Sequence, residues 1–345
     1  MQADCSEKMI VFGVDIGGTI TKLGVFKRGG EMLARHVFPT GTKEDGGVLE
    51  VIADKIREVL SRGSITADDV AGIGVGVPGI VTKGGVVVDC ANIDLKEVYL
   101  QEEFGKLLPE IQAPVRVGNN ANAAALGEMY KGAGKGREDI VMVTVGTGLG
   151  AGIILNGQIV TGYHGSAGEI GHLMVNEEET VPCGCGHYGC LEQYIAAPGI
   201  VRAAQQLLRE HPEIPSPLRS YSGGGAEEDL TLPVGIVPPP MTVEAVFDAA
   251  HNGDEIAEFV IGRASTMLGK ALALVADFAA PEVIILGGRV SRAGAIMLDS
   301  VTDSYKRFVY PALAGIPIRL AELGSDAGMV GCDYMIEQYL YGDKP

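Results

Sequence analysis

Tryptophan is absent from this 345-residue sequence, and phenylalanine occurs only 8 times. The hydrophobic cores must therefore be built mainly from aliphatic side chains. Blocks of basic residues are also absent, and the formal net charge is -17. Because nucleic acids and anionic membrane surfaces are bound through clustered Lys and Arg, we expect neither as a partner.

Long hydrophobic runs are missing as well. The apolar stretch KALALVADFAA, residues 270–280, is shorter than the about 18 residues of a membrane-spanning helix, and it contains Asp277. The first residues, MQADCSEKM, contain two acidic residues and no apolar run, unlike a secretory signal. We therefore expect a cytoplasmic protein.

Glycine, in contrast, is abundant: 50 residues, roughly twice the usual share of about 7%. The glycines gather at the ends of apolar, β-branched segments that predict strands. Between these segments lie patterns typical of helices, such as VLEVIADKIREVLSRG (48–63) and two helices over residues 241–280. The alternation predicts an α/β fold with mixed sheets, and the length allows about two domains.

Two segments share one pattern, in which a glycine turn separates two apolar strands. They read MIVFGVDIGGTITKLGVF (9–26) and IVMVTVGTGLGAGIIL (140–155). Aligning Asp15 on Thr144 gives an offset of 129 residues between them. The offset suggests that the chain contains two halves of similar build.

The glycine turns have the composition of phosphate-binding loops. In the first turn, the amides of Gly17 and Gly18 and the Thr19 hydroxyl can contact an anion, and the Asp15 carboxylate can face hydrated Mg²⁺. Similar positions in the second turn and after a later apolar strand are Gly146, Thr147, Gly148, Gly287 and Gly288. A plain β-hairpin turn is the alternative for each turn. Together they predict a nucleotide in a cleft between two lobes.

The cysteines are unevenly distributed. Of the six, Cys183, Cys185 and Cys190 lie within eight residues, in the pattern C-x-C-x4-C. Three thiolates and one imidazole satisfy the tetrahedral positions of a closed structural zinc site. The fourth ligand is His172 or His187, and spacing alone does not choose between them. The alternative is a set of reduced cysteines in a glycine-rich loop.

Acidic residues stand at both ends of this segment. If the loop folds around a metal, the carboxylates of Glu169 and Glu192 come near one point, where they can accept hydrogen bonds from sugar hydroxyls. The alternative is that each is a solvated surface acid. We interpret the acidic run at 177–179 as a solvated turn.

These motifs occur in an order that resembles the ROK family of repressors, open reading frames and sugar kinases. The matching segments are DIGGTITKLG, NNANAAALGE, GTGLGAG, GEIGH and CGCGHYGCLE. Within the family they look most similar to those of bacterial glucokinases. The resemblance implies an actin-like, ribonuclease H-like fold with a small lobe, 1–130 plus 327–345, and a large lobe, 131–326. The large lobe would carry a zinc loop (172–192) and a Pro/Gly-rich excursion (212–240).

The resemblance also implies a function. That function is the transfer of a phosphoryl group from ATP, with Mg²⁺, to a hexose, and glucose is the favoured hexose. The resemblance also implies that the protein is a homodimer or homotetramer. Asp15 to Thr19 and Gly146 to Gly148 would bind the phosphates, and Gly287 and Gly288 would lie near the adenosine. The sugar would be held by Gly79, Asn119, Asn120, Glu169, His172 and Glu192. The ligands of a structural Zn²⁺ would be His172, Cys183, Cys185 and Cys190, which leaves His187 outside.

One residue departs from the family's pattern. The family's kinases have N-D-A-N where this chain has Asn119-Asn120-Ala121-Asn122, so Asn120 occupies the place of the catalytic aspartate. In phosphoryl transfer that carboxylate accepts the proton of the attacking hydroxyl, which an amide cannot do at neutral pH. Losing a general base typically lowers the rate by about 10²–10⁴-fold. Asn120 still suits the cap of the helix that follows.

Three explanations of Asn120 stay open: a deliberate Asp-to-Asn substitution, a natural variant that binds sugar but phosphorylates it poorly, and an active kinase with another route for the proton. Alternative functions are a non-catalytic sugar-binding or regulatory protein, or a kinase for another hexose: N-acetylmannosamine, mannose, fructose or allose. A DNA-binding repressor, which would carry an added N-terminal helix-turn-helix, is disfavoured, because only the first residues, up to about residue 10, precede the first predicted strand and the chain is acidic.

Overall fold

The computed structural model describes residues 9–342, except residues 64, 91, 92, 94, 222–238 and 289–293. The described residues form two compact units. The first draws on Met1–Met142, Gly152–Gly168 and Ala321–Pro345, and the second on Val143–Ala151 and Glu169–Leu320. The predicted lobes, divided at residue 130, stay a prediction. Most of the predicted excursion at 212–240 lies outside the described residues.

Five strands of the first unit form one sheet: β1 (Ile10–Ile16), β2 (Ile20–Lys27), β3 (Glu31–Pro39), β4 (Val70–Val77) and β8 (Val115–Asn119). Their order is β3-β2-β1-β4-β8. Strand β1 pairs antiparallel with β2 and parallel with β4, so the sheet is mixed. Every residue of β4 is buried, as expected of a strand that is covered on both faces.

The rest of the first unit packs around this sheet. Its helices are α1 (Val48–Arg62), α2 (Leu100–Leu107), α3 (Asn120–Lys131) and α9 (Ala327–Tyr341), and a small sheet contains β5 (Ile80–Val81), β6 (Val86–Cys90) and β7 (Leu95–Tyr99). In α1 the residues Val48, Leu49, Ile52, Ala53 and Ile56 are buried, at the spacing of one helix face. Helix α1 therefore joins the aliphatic core that the composition predicts.

The C-terminal helix α9 approaches both the sheet and α3 backbone to backbone. A Cβ atom added at Gly74 of β4 would lie 1.9 Å from the Cys332 carbonyl oxygen. One added at Gly331 of α9 would lie 1.6 Å from the Ala123 carbonyl oxygen in α3. Only glycine permits contacts this close, so these two positions fix how near α9 lies to the strands and to α3.

A second five-stranded sheet contains β9 (Ile140–Val145), β10 (Leu149–Leu155), β11 (Gln158–Ile159), β12 (Val283–Gly288) and β13 (Ile318–Leu320). Its order is β11-β10-β9-β12-β13, and the chain passes between the two units within β9 and within β10. Numbered along its own segment, each large sheet has the order 3-2-1-4-5. The prediction of two similarly built halves in a mixed α/β fold is confirmed.

The helices of the second unit are α4 (Glu192–Ile195), α5 (Ala197–Glu210), α6 (Val243–His251), α7 (Glu255–Ala279) and α8 (Gly294–Phe308). Helices α6 and α7 confirm the two helices predicted over 241–280. Helix α7 has 25 residues and is apolar enough, with a hydropathy of 1.4, to meet the length and composition of a membrane span. Since 56% of that apolar window is buried, α7 is accounted for as the core helix of its unit.

Candidate functional site

The corner between β8 and α3 is organised by Asn119. Its Oδ1 accepts hydrogen bonds from the backbone N–H of Ala121 (2.8 Å) and of Asn122 (3.3 Å), which makes Asn119 the N-cap of α3. Its Nδ2 donates to the carbonyl oxygen of Gly79 (3.1 Å), so the cap also holds the turn after β4. The expected capping role of Asn120 was wrong, because the preceding residue performs it.

Asn120 is the first residue of α3 and is half-buried. Within the described part of the chain, no hydrogen bond engages its side-chain amide. The Asn120 Cα lies 3.4 Å from the position that a Cβ on Gly76 would take, so the end of β4 passes close beside it. The residue therefore stands at the strand–helix corner where open α/β proteins place ligand-handling groups.

The first glycine turn joins β1 to β2. The Gly17 N–H, expected to face an anion, donates instead to the Ile20 carbonyl oxygen (3.1 Å) and closes the hairpin. The Thr40 hydroxyl donates to the Gly17 carbonyl oxygen (2.8 Å) and holds the turn in place. Gly18 and Thr19 are exposed, so the turn presents these two residues to solvent.

Asp15 is the last but one residue of β1 and lies beside this turn. Its Oδ2 lies 3.3 Å from the Lys22 Nζ, which also donates to the Ser325 carbonyl oxygen (2.7 Å). A Cβ added at Gly328, in the first turn of α9, would lie 2.6 Å from the Asp15 Cγ. Burial raises the pKa of Asp15, and the nearby Lys22 ammonium lowers it. The effect of burial is the larger of the two, so the pKa of Asp15 lies above its usual value.

The second glycine turn joins β9 to β10 and is held by α4. The Gly146 N–H donates to the Gly148 carbonyl oxygen (2.9 Å), and the Leu149 N–H donates to the Glu192 Oε2 (2.7 Å). A Cβ on Gly148 would lie 2.6 Å from that same oxygen. Glu192 is therefore not a fully solvated acid, since it fixes the turn through one of its two oxygens.

Gly288 lies beside the same turn. It ends β12 with a φ of 81°, and a Cβ there would lie 2.3 Å from the Val145 carbonyl oxygen. Val145 directly precedes the turn residues Gly146, Thr147 and Gly148. The structure thus brings the predicted phosphate turn and the predicted adenosine-side glycines Gly287 and Gly288 together within the second unit.

Four metal-binding side chains converge in the second unit. The ligand atoms of His172, Cys183, Cys185 and Cys190 all lie within 4.8 Å of one another. The Cys185 and Cys190 sulfurs are 3.6 Å apart, and the Cys183 sulfur is 3.8 Å from the His172 Nδ1. Sulfurs about 2.3 Å from a tetrahedral Zn²⁺ would be about 3.8 Å apart, so the set fits that ion. Of the two histidines left open by spacing, His172 joins the cluster.

The chain reaches this arrangement by folding the cysteine loop back on itself. Met174 forms an isolated antiparallel bridge with Cys190. Gly189 has a φ of 70°, and a Cβ there would lie 1.8 Å from the Asn176 carbonyl oxygen. His187 takes part through its backbone, because its carbonyl oxygen accepts the Cys183 N–H (2.7 Å).

Glu169 lies on the other side of the His172 ring. The distance from the His172 Nε2 to the Glu169 Oε2 is 4.0 Å, while the Nδ1 of that ring faces the thiols. Burial raises the pKa of Glu169, His172 lowers it, and the negative charge of Glu192 raises it. One imidazole therefore links the cysteine cluster to a carboxylate that lies within electrostatic range of Glu192.

Two acidic residues have roles that sequence reasoning missed. Glu179, interpreted as part of a solvated turn, accepts a hydrogen bond from the Tyr194 hydroxyl (2.7 Å) and pairs with Arg202 (3.4 Å). The Tyr194 hydrogen bond lowers the pKa of Glu179. Glu128, the last residue of NNANAAALGE, is fully buried and accepts backbone hydrogen bonds at the end of α3. The one feature of the sequence that could have indicated this role of Glu128 is its position as an acidic residue at the end of the alanine-rich segment NNANAAALGE.

Comparison with known proteins shows to which family the chain belongs. Residues 11–339 match the ROK family. A glucokinase of Halalkalibacterium halodurans is 38% identical over 330 residues, which cover 94% of this chain and 94% of that protein. The crystal structure of a ROK family glucokinase from Streptomyces griseus, in complex with glucose and AMPPNP, is 32% identical with a TM-score of 0.73, covering 95% of this chain and 99% of that one. A ROK family transcriptional regulator, a homologue of the E. coli MLC protein, is 26% identical with a TM-score of 0.81, covering 96% and 78%. The chain therefore belongs to the ROK family.

Proposed function

We propose that this protein is an ATP-dependent hexose kinase whose substrate is glucose. The 6-hydroxyl oxygen of the sugar attacks the γ-phosphorus of ATP, the bond between that phosphorus and the oxygen bridging it to the β-phosphate breaks, and glucose 6-phosphate, ADP and the hydroxyl proton are released. The observation that carries the proposal is the 38% identity to a glucokinase over 94% of both chains. In the structure, hydrogen bonds hold the two glycine turns and the corner at Asn119, and the predicted metal ligands lie together.

The nucleotide is assigned to the glycine turns. Asp15 would hold a hydrated Mg²⁺, which screens the charge of the phosphates during transfer. The remaining nucleotide contacts are assigned to Gly17, Gly18, Thr19, Gly146, Thr147, Gly148, Gly287 and Gly288. Because the Gly17 N–H is used within its hairpin, we expect Gly18 and Thr19 to provide the contacts of the first turn.

The sugar is assigned to the strand–helix corner and to the carboxylates near the cysteine cluster. The residues are Gly79, Asn119, Asn120, Glu169, His172 and Glu192. Oε2 of Glu192 already accepts the Leu149 N–H, so we expect Oε1 to accept the sugar hydroxyl. Asn119 holds Gly79 through its Nδ2, which preforms this part of the pocket.

Asn120 stands where a kinase needs its general base, so we expect slow turnover. The test is glucose-dependent ADP release by the parent chain and by Asn120→Asp, with the exposed Asn252→Asp as a matched amide-to-acid control. Restoring the base is expected to raise the rate by about 10²–10⁴-fold, and the control should not. If Asn120→Asp gains nothing, the assignment of the base is wrong. A parent rate of about 1–100 s⁻¹ would show that Asn120 does not limit turnover.

A second candidate function is a non-catalytic sugar-binding or regulatory protein, favoured by Asn120 and by the likeness to a transcriptional regulator. A panel of hexoses in thermal unfolding separates the two, since a ligand at about 100 times its Kd adds about 2.7 kcal/mol of stability. The second function is supported if glucose stabilises the protein but neither the parent chain nor Asn120→Asp releases ADP. Stabilisation by another hexose alone would redirect the proposed substrate.

We further propose that His172, Cys183, Cys185 and Cys190 hold one structural Zn²⁺ in a reducing, cytoplasmic environment. Four protein ligands leave no position for water, so the ion would stabilise the loop and supply no nucleophile. We expect about one zinc per purified chain by elemental analysis and less than half of that in Cys190→Ser. His187→Ala is the matched control and should retain the metal. Equal loss in both variants would contradict the ligand set.

A further inference from the structure

A cavity of about 810 Å³ lies at the C-terminal end of α3, within the first unit. We call it the α3 cavity. It is lined by the end of α3, by residues 135–138, by the turn at 156–158, by Gly29 and by Tyr334 of α9. Its size falls within the about 300–1,000 Å³ of small-molecule sites. None of the lining residues belongs to the nucleotide, sugar or metal sites proposed above, so the cavity is a separate candidate site.

Two basic side chains of the α3 cavity have no partner among the described residues. Lys135 is exposed and Arg137 is half-buried. Neither takes part in a hydrogen bond, an ion pair or a contact with an aromatic ring within the described part of the chain. The chain contains 44 acidic residues against 27 Lys and Arg, so partners for cations are abundant. Two neighbouring cations that stay unpaired at a cavity therefore indicate a site for an anion.

The loop that carries these cations is held by backbone hydrogen bonds. The Gly134 N–H donates to the Glu128 carbonyl oxygen (3.0 Å), and the Arg137 N–H donates to the Gly134 carbonyl oxygen (3.1 Å). Gly136, between the two cations, has a φ of 79°, and a Cβ added there would meet no atom within 4 Å. The turn therefore presents Lys135 and Arg137 from a fixed backbone and leaves room for a ligand beside them.

The remaining charges of the lining also favour an anion. Glu138 is the one acidic residue that lines the cavity, against three basic residues. The third of these, Lys131, is already fixed, because its Nζ donates to the carbonyl oxygens of Gly29 (3.1 Å) and Gly30 (2.5 Å). Direct contacts to an anion are therefore left to Lys135 and Arg137.

Another part of the lining is aromatic. The ring centres of Tyr130 and Tyr334 are 4.7 Å apart, and the two rings are tilted by 30°. Burial raises the pKa of Tyr130 to about 12, and Asp333 and Glu337 raise it further, so its hydroxyl stays protonated and can donate a hydrogen bond. Because these two acidic residues lie within electrostatic range of Tyr130, an anion is disfavoured there and an uncharged group that carries hydroxyls is favoured.

We infer that the α3 cavity binds a sugar phosphate, with the phosphate on Lys135 and Arg137 and the sugar against the two tyrosines. A phosphate group matches two adjacent cations, one of them a guanidinium that can donate two parallel N–H bonds. A sugar matches the other part of the lining, since its hydroxyls can bond the Tyr130 hydroxyl and its apolar face can pack on an aromatic ring. The inference does not depend on the proposed kinase activity.

The first test is isothermal titration of the full chain with ribose 5-phosphate and with fructose 6-phosphate, in excess glucose that fills the proposed sugar site. At least one of them is expected to bind with a Kd of about 1 mM or below. Lys135→Glu and Arg137→Glu should each weaken this binding by about 10–100-fold, because each loses a charged hydrogen bond to the phosphate. The matched control, Lys83→Glu, reverses an exposed lysine outside the cavity and should keep the parent Kd. The inference is overturned if neither compound binds, or if both cavity variants bind like the control.

The second test separates the sugar from the phosphate. Inorganic phosphate can use only the two cations, so it should bind at least about 10-fold more weakly than the sugar phosphate. Tyr130→Phe keeps the ring and removes one hydroxyl, and it should weaken binding of the sugar phosphate by about 2–10-fold without changing the Kd of inorganic phosphate. If inorganic phosphate binds as tightly as the ester, or if Tyr130→Phe changes neither Kd, the assignment of a sugar is wrong.

Discussion

Replacing Glu128 with Gln tests whether one buried carboxylate joins the end of α3 to the segment before α9. Its Oε2 accepts the N–H of Ala133 (2.8 Å) and of Glu322 (3.1 Å), and its Oε1 accepts that of Leu323 (2.8 Å). Glutamine keeps one acceptor oxygen and places an NH₂ donor at the other position. At least one of the three N–H groups would then face a donor.

The magnitude follows from that unpaired group. A buried N–H without an acceptor costs about 1–3 kcal/mol. The remaining bonds also lose the negative charge, but a neutral amide is less costly to bury than a carboxylate, so we take these two effects to offset one another. Glu128→Gln should therefore lower the free energy of unfolding by about 1–3 kcal/mol.

Urea unfolding followed by circular dichroism measures this change, and hydrogen exchange locates it. The amides of Ala133 and Leu323 should exchange faster in Glu128→Gln than in the parent chain. Glu31→Gln, an exposed substitution in the same unit, is the matched control and should stay within about 0.5 kcal/mol of the parent. A Glu128 variant as stable as this control, with unchanged exchange at Leu323, would refute the reasoning.

Two other predictions concern the same unit. Burial raises the pKa of Asp333 to about 8, Glu337 raises it and Lys131 lowers it, and neither carboxylate oxygen has a described hydrogen-bond partner. Above pH 3.8 the unfolded state releases a proton that the folded state keeps. The free energy of unfolding therefore falls by up to about 1.4 kcal/mol per pH unit between pH 3.8 and about pH 8, and then levels off. Asp333→Asn should remove this slope in urea unfolding, and an unchanged slope would contradict it. Gly331→Ala should destabilise by about 1–3 kcal/mol or more, whereas Gly105→Ala, with no atom within 4 Å, should stabilise by about 0.4–1 kcal/mol; similar thermal shifts for both would contradict the close α9 contact.

Most of the predictions made from the sequence rested on patterns of neighbouring residues. The strand–turn–strand pattern around Gly17 and around Gly146 predicted two similar sheets because hairpins are encoded by adjacent residues. The cysteine spacing predicted three ligands for the same reason. Spacing alone left His172 and His187 open and the family resemblance favoured His172, which lies in the cluster because the loop folds back through the bridge between Met174 and Cys190.

The residues that were missed have partners distant in sequence or sit at an element boundary. Two of the three donors to Glu128 come from residues 322 and 323, which no local pattern around the acid can indicate. Glu179 depends in the same way on Tyr194 and Arg202. Of the adjacent Asn119 and Asn120, either suits an N-cap, so the local sequence does not decide which of them begins the helix.

The seating of α9 against Gly74 and Ala123 has a consequence for synthesis on the ribosome. The first unit draws on Met1–Met142 and on Ala321–Pro345, so its strands emerge long before the helix that completes their packing. At about 5–20 residues per second, the nascent N-terminal sheet waits tens of seconds for that helix. The second unit, complete at Leu320, is therefore the part of the newborn protein that can finish folding first, and chaperones would meet the N-terminal half with one face still uncovered.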